Sequence, residues 1–403
     1  MSSFSAILHA GQPYSLGLLA LVVAAFATPL AMRVALRFGV LDLPDRKLKP
    51  HAKPIPYLGG TAICAAWGLA LIAAMVSGTC DWRIMLPLLL GGVGMSVLGL
   101  IDDIWTVPPK IRLLVGTAII AAVIVSTGAG FQLVGSSVDG VNDVLASIGI
   151  HLPAAVTTAM AFVAVPLSVL IAIVIVLGAC NSANLIDGLD GLSTGVTGII
   201  SLGFFLLASH LAAWGYSDRG DPVRLVLAIA MFGAALGFLP WNFNPAKIFM
   251  GDAGSMLLGY NCGVLILLFA ERGKMRWVVG AVMIFALPVF DTALAMFRRW
   301  RAGRSIFEGD RSHFYDQLVH RGLSVRRTVL VCYVLTVFYA ALGLLMTWVG
   351  PDGPVIRTRF AVPLYLGVCV VTAFLAWKAG LTHPEEPRRL PQRGERDDQS
   401  GSV

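Results

Sequence analysis

Residues 167–206 read LSVLIAIVIVLGACNSANLIDGLDGLSTGVTGIISLGFFL: two apolar runs flank a polar stretch, Asn181 to Leu192, that carries two asparagines and two aspartates. Each run extends to the roughly 20 largely uncharged residues needed to cross the hydrocarbon core of a bilayer. The same alternation recurs along the whole chain. Of 403 residues, 57% are apolar and only 13% charged, which is the composition of a polytopic membrane protein and not of a soluble domain. Apolar segments near 15–38, 57–77, 84–101, 112–128, 159–180, 191–212, 222–240, 255–270, 277–296, 327–349 and 359–377 predict an all-α polytopic integral membrane protein. By the same length criterion it has about 11 transmembrane helices, and any active site is expected in the cytoplasmic loops, where polar residues such as those of the stretch above fall. The first segment has no Lys or Arg before Arg33, so it lacks the basic start of a signal peptide and is expected to stay in place.

Basic residues set the expected orientation. With the 39–56 loop facing the cytoplasm, alternation places 102–111, 181–190, 241–254, 297–326 and the tail from 378 on that side, together with 22 of the 30 Lys and Arg when the flanking helix ends are counted. Arg272, Lys274 and Arg276 oppose this count without reversing it. Residues 1–380 read as one transmembrane catalytic domain and 381–403 as a disordered cytoplasmic tail with no apolar face. The less apolar segment 129–158 reads as an external loop. The six cysteines lack CxxC spacing and fall mostly inside predicted helices, where they act as small packing residues. A net charge of +7 suits anionic headgroups and phosphorylated substrates, and the chain offers no nucleic-acid module.

Against this background five aspartates stand out, because a charge at the bilayer centre costs at least about 2.5–3.5 kcal/mol. Asp102 and Asp103 end one segment in GLIDDIW, Asp187 and Asp190 lie in NLIDGLDGL, and Asp252 lies in FMGDAGS. The predicted topology puts all five on the cytoplasmic face, from three separate loops, so they can converge on one site. Adjacent carboxylates resist joint ionisation without a cation nearby, and Lys110, followed closely by Arg112, is the candidate counter-charge. Asn184, Asp187 and Asp190 are spaced to share one helical face and present oxygen ligands together. An Asx-rich turn would explain one of these aspartates but not the repeated D-G-L. Asp252, between glycines before a long apolar run, suits either an anion or metal-bound phosphate at a helix start, or simple capping. The stretch Arg298–Arg327 holds eight arginines with His313 and His320, a set that can bind a diphosphate but also a plain positive-inside loop. Asp291 is expected to pair with Arg298. The loop from Leu43 to Gly60 is basic and proline-stiffened, fit for a phosphorylated headgroup or for orientation alone.

Taken in order, DLPDRKLKPHAKPIPYLGG, GLIDDIW with PPKIRLL, NSANLIDGLDGL, WNFNPAKIFMGDAGSMLLG and VFDTALAMFRRW resemble the polyprenyl-phosphate N-acetylhexosamine-1-phosphate transferases. This is the superfamily of WecA, TagO and MraY, and the resemblance spans roughly residues 40 to 330. It implies transfer of a HexNAc 1-phosphate, foremost GlcNAc 1-phosphate, from a UDP-sugar to undecaprenyl phosphate with release of UMP, the initiating step of cell-surface glycan synthesis. It also implies Mg²⁺, with Mn²⁺ able to substitute, held at Asp252 with Asp187. Asp102 and Asp103 take a catalytic role together with Asp252, while Lys110, Asn184, Asp187, Asp190 and Asn242 line the nucleotide and phosphate site. Arg304, Arg311 and His313 complete the substrate set from the basic loop. The implied partners are UDP-HexNAc, undecaprenyl phosphate and membrane lipids, with a homodimer left open, and the implied location is the cell membrane. Two departures matter. The H-x-H-H motif of the WecA and TagO branch, in the loop associated with the sugar end, is reduced to His313. The segment NFNPA lacks the histidine of an N-A-H-P motif, which separates the chain from MraY, the phospho-MurNAc-pentapeptide transferase. An ion-coupled transporter would carry its acids near mid-membrane within an inverted repeat, and neither pattern is seen.

Overall fold

The computed structural model describes residues 12–43, 54–131, 133–134, 145, 149, 153–214, 221–270, 275–303, 313–350, 353–356 and 358–381. Arg304, Arg311, most of the 129–158 loop, the basic stretch 44–53 and the tail beyond 381 lie outside the described residues. Among the described residues the helices are α1 (Gln12–Phe38), α2 (Gly59–Val76), α3 (Trp82–Trp105), α4 (Pro109–Thr127), α5 (Ala154–Leu185), α6 (Leu192–Ala213), α7 (Asp221–Asn242) and α8 (Gly251–Ala270). They continue with α9 (Met275–Ile284), α10 (Ala286–Arg301), α11 (Phe314–His320), α12 (Val325–Thr347) and α13 (Thr358–Lys378). Two short antiparallel hairpins pair β1 (Leu41–Asp42) with β2 (Ile55–Pro56), and β3 (Val349–Gly350) with β4 (Gly353–Pro354). The chain is an all-α, multi-pass membrane protein.

Among the described residues, ten helices are long and apolar enough to cross a membrane. The segment predicted as one span at 277–296 is instead broken: α9 and α10 meet at a 75° bend. Pro288 supplies the reason, since a proline ring collides with the carbonyl four residues earlier, here Ile284, where α9 ends. Of the remaining spans, all but α2 run past a predicted end by one to a few residues, while α2 stops short of both. α3 carries Asp102 and Asp103 on its last turn, α5 reaches Asn184, and α8 begins at Gly251 and not at 255.

α8 is the axis of the bundle and is buried along the whole of its length. It packs on α5, α3 and α2, while α1, α7 and α6 form a second tier and α12 joins α6 to α9. Without a hydrophobic drive between helices in lipid, close backbone approach at small residues holds such a core together. At the end that carries the acids, a Cβ on Gly60 would strike the Gly254 backbone, and a Cβ on Gly99 would strike the Asp252 carbonyl. These contacts are backbone against backbone, so nothing can swing aside. The strand-like segment before α2 adds three more ties: Phe249 N–H donates to the Pro56 carbonyl, Gly59 N–H to Phe249, and Gly60 N–H to Met250.

Gly99→Val is therefore expected to cost about 1–3 kcal/mol, the usual penalty for overpacking, and more if α3 must separate from α8. A lowered melting temperature in detergent checks this, and an unchanged one contradicts the contact.

Candidate active site

The three acid-bearing loops meet at the N-terminus of α8. Asp102 and Asp103, adjacent in sequence, face different partners. Asp103 accepts hydrogen bonds from the backbone N–H of Asp252 at 2.8 Å and of Ala253 at 3.1 Å. It thus caps α8 from another helix, placing negative charge where four N–H groups lack intrahelical partners. Asp102 accepts from Val107 N–H at 2.6 Å, closing the turn between α3 and α4, and from Arg112 Nη1 at 2.5 Å. The same Arg112 nitrogen donates to Asp252 Oδ2 at 3.2 Å. Arg112, and not Lys110, is the counter-charge to the acids; Lys110 is exposed on the adjoining groove wall.

Asp252 Oδ1 accepts from Asn184 Nδ2 at 2.6 Å, and that amide also reaches Ser255 Oγ at 3.0 Å. Arg112 and Asn184, the two donors to the Asp252 carboxylate, thus both come from other helices. Asn184, Asp187 and Asp190 do not share a helical face: α5 ends at Leu185, and the chain turns before α6. Asp190 Oδ2 instead accepts from Asn244 Nδ2 and Ala246 N–H, both at 2.9 Å, and pins the α7–α8 connection. Asn242 is buried, donating to the Ile248 carbonyl at 3.1 Å and accepting from Thr194 Oγ1 at 2.8 Å, so its amide organises the same connection from within.

Asp187 is different. Its half-buried carboxylate has no hydrogen-bond or ion-pair partner among the described residues, and burial followed by the charges of Asp252, Asp103 and Asp190 pushes its pKa up to about 8. An acid in that position is short of a cation. Among the described residues no three His, Cys, Asp or Glu side chains form a complete metal cage. Asp187 is open, whereas both oxygens of Asp252 accept hydrogen bonds; a hard cation commonly takes only one or two carboxylates and fills its shell with substrate phosphates.

The acids open into a cleft of 530 Å³ walled by Leu41, Leu43, Tyr57, Asp102, Asp103 and Asp252, among others. Tyr57 packs edge-on against Phe249, and its phenol is raised above the ordinary range by burial and then by Asp103, Asp252, Asp187 and Asp42. On the other side of Arg112 lies a mainly apolar groove of 600 Å³ between α3, α4 and α5, lined by Met95, Leu113, Gly116, Leu177 and Met256. Arg112 and Asn184 belong to the groove wall, and both bond Asp252. Tyr57 and the bridging role of Arg112 are missed by sequence reasoning. The only signal was the position of Arg112 two residues after Lys110.

His313 lies at the start of α11, where its Nδ1–H donates to Asp291 Oδ2 at 2.7 Å. Asp291 therefore pairs with His313 and not with Arg298, whose Nη1 donates to the Leu381 carbonyl.

A probable undecaprenyl-phosphate N-acetylglucosaminyl 1-phosphate transferase of Bacillus subtilis is 33% identical over 319 residues, covering 79% of this chain and 80% of that protein. The chain belongs to the polyprenyl-phosphate N-acetylhexosamine-1-phosphate transferases. The glycosyl transferase family 4 profile matches residues 85–270, which contain all five aspartates. A decaprenyl-phosphate N-acetylglucosaminephosphotransferase of Mycolicibacterium smegmatis is 31% identical over 79% of this chain and 78% of its own length. A phospho-N-acetylmuramoyl-pentapeptide-transferase of Kineococcus radiotolerans is 32% identical over a smaller share, 68% of this chain and 81% of that protein. Within this transferase family fold, the acid cluster at the α8 N-terminus is the candidate active site.

Removing the carboxylate in Asp103→Ala leaves two backbone donors at the α8 N-terminus unsatisfied, a cost of about 1–3 kcal/mol where they are buried. A drop in melting temperature greater than that of Asp190→Ala, which frees a loop rather than a core helix, is the expected result.

Proposed function

We propose that the protein transfers N-acetylglucosamine 1-phosphate from UDP-GlcNAc to a polyprenyl phosphate, undecaprenyl phosphate foremost, releasing UMP. The observation that carries this reading is an apolar groove beside the acid cleft, with Arg112 and Asn184 of the groove wall both bonded to Asp252 of the cleft wall. A prenyl phosphate has the same two-part chemistry, an apolar chain ending in a dianion. In this reading the chain lies along Leu113, Leu177 and Met256, and the phosphate meets Lys110 and Arg112 before Asp252. The relatives named as N-acetylglucosaminyl 1-phosphate transferases support the donor. The missing N-A-H-P histidine in the segment from Asn242 to Ala246 and the shorter match to the pentapeptide transferase disfavour the phospho-MurNAc substrate.

In the reaction a lipid-phosphate oxygen attacks the sugar-bearing β-phosphorus, the bond to the UMP oxygen breaks, and UMP leaves with the electron pair. With a second phosphate pKa of about 6, the acceptor is already largely ionised near neutrality and needs no general base. The geometry supports positioning by Asp102 and Asp103, because Asp102 holds Arg112 and Asp103 holds the α8 N-terminus. Arg112 then sets the acceptor phosphate beside Asp252, and phosphoryl transfer depends chiefly on such alignment and charge neutralisation. Asp252 and Asp187 are the residues that fit Mg²⁺, or Mn²⁺ in its place. Bound there, the ion would neutralise charge on the donor diphosphate. The excess of Lys and Arg on the predicted inner loops supports a cytoplasmic active site in the plasma membrane.

Asp252→Asn is expected to abolish UMP release from UDP-GlcNAc and undecaprenyl phosphate while the protein still folds in detergent. Retained turnover would overturn the assignment. The second expectation concerns pH. Asp187 is protonated below about 8 in the empty site, so a divalent cation must displace that proton to bind. Mn²⁺ affinity should therefore rise with pH by up to about tenfold per unit below that value, then level off. Calorimetry in buffers of different ionisation enthalpy should register close to one proton released at pH 7. An affinity that does not change between pH 6 and 8 excludes Asp187 as a ligand.

A further inference from the structure

The Asp291–His313 pair has no place in the scheme above, yet both side chains are almost completely enclosed, at 2% and 4% exposure. Asp291 comes from α10, just beyond the 75° break, and His313 from the residue that opens α11. The carboxylate uses both oxygens on this junction. Oδ2 accepts from His313 Nδ1–H at 2.7 Å and Oδ1 from Phe314 N–H at 3.2 Å. An ionised carboxylate only accepts, so the hydrogen must reside on Nδ1 whether the imidazole is neutral or charged. Nε2 is left as the chemically available nitrogen, and it has no hydrogen-bond partner among the described residues.

The ring is fixed on its face as well as its edge. It stacks on Tyr315 with centroids 5.3 Å apart and planes within 5°. Tyr315 in turn donates its hydroxyl to the Leu185 carbonyl at 2.7 Å, at the last residue of α5. Its ring occupies the space that a side chain at Gly188 would need, one residue from Asp187. A continuous set of contacts therefore runs from α10 through two stacked rings to the loop that bears the unpaired Asp187. For a purely structural pin, the bond to Phe314 N–H would suffice. A second oxygen spent on fixing one tautomer, and a parallel aromatic plane fixing the tilt, are what an imidazole needs when its far nitrogen has to meet a ligand.

We propose that Asp291 is a positioning residue that holds His313 as the Nδ1–H tautomer and presents Nε2 to the diphosphate–sugar portion of the donor substrate. The inference rests on the donor assignment made above. It gives the retained histidine a partner on a different helix, and it makes the break between α9 and α10 the feature that brings this partner to the site.

The test is a double-mutant cycle in the full-length protein, with UMP release measured against UDP-GlcNAc and undecaprenyl phosphate. Asp291→Asn can still accept from Phe314 N–H while its amide no longer enforces the tautomer. It should lower kcat/KM for UDP-GlcNAc by about 10- to 100-fold, the usual effect of losing a histidine-orienting partner, and leave the KM for undecaprenyl phosphate unchanged. His313→Gln should lose about as much, and the double variant should be no worse than His313→Gln alone. Multiplying losses, equal effects on both substrates, or an Asp291→Asn enzyme within twofold of wild type would overturn the proposal. A wild type that releases no UMP from UDP-GlcNAc counts against the donor assignment instead. The pair is then judged without turnover, by nitrogen NMR of ¹⁵N-histidine-labelled protein compared with His313→Gln. The His313 resonance should report Nδ1–H in wild type and lose that tautomer in Asp291→Asn, and an Nε2–H wild type would overturn the proposal outright.

Discussion

The site depends on one hydrogen-bonded junction, the Asp103 carboxylate on the first N–H groups of α8. A helix N-terminus carries about half a positive charge on donors that have no partners of their own. Here that charge is answered by a neighbouring helix, and the two backbones touch at Gly99 one turn earlier. Because α8 is buried from end to end, this junction fixes the height and rotation of Asp252 relative to every surrounding helix. Asn184 from α5 and Arg112 from α4 then reach the same carboxylate. Four helices are thus locked to one residue, and the candidate site sits at that lock.

Collecting acids this way costs energy, and the structure offsets the cost unequally. Asp102 has a guanidinium and a backbone donor, Asp103 two backbone donors, and Asp252 a guanidinium and an amide. Hydrogen bonds to charged groups contribute about 1.5–3 kcal/mol each, enough to hold these three in place. Asp187 has no such donor among the described residues, and burial followed by the charges of Asp252, Asp103 and Asp190 raises its pKa. The imbalance is itself informative, because the residue left without compensation is the one beside which positive charge would be most strongly bound. Tyr57 tells the same story from the opposite wall of the cleft. Its phenol resists ionisation in the field of the same acids, so it stays neutral and available as a donor.

Every span but the broken one at 277–296, and the meeting of the acid-bearing loops at one end, were legible in the sequence. Hydropathy and motif spacing report burial and chemistry directly. What they do not report is the partner of each polar group. Asp102 and Asp103 look equivalent in GLIDDIW, yet successive residues on a helix point about 100° apart, and that rotation alone sends them to different neighbours. Asp190 looks like a twin of Asp187 until the end of α5 at Leu185 turns it towards Asn244. Predicted helices stop at the first polar residue, whereas backbone hydrogen bonding continues past it, which is why α3, α5 and α8 all run longer than their apolar cores. Arg112 read as one more base in a basic loop. Only the packing of α4 against α3 makes it the bridge between Asp102 and Asp252.

The break at Phe285 shows how a local rule can serve a distant site. A straight helix through 277–296 would have carried Asp291 onward along the direction of α9, away from α5. Pro288 forbids it, and the 75° turn leaves α10 packed on α5, with Thr292 Oγ1 at 2.9 Å from Ser182 Oγ. The turn also gives α10 its mixed character, apolar towards the bundle and ending in Arg298, Arg299 and Arg301. One face of α10 therefore fixes the end of α5, and Asp291 fixes the start of α11. Both of these bound the loop that carries Asp187. The acid cluster is built by α3, α4, α5 and α8, but α10 and α11, which brace the end of α5 and the Gly188 turn, follow a break set by a proline outside the cluster altogether.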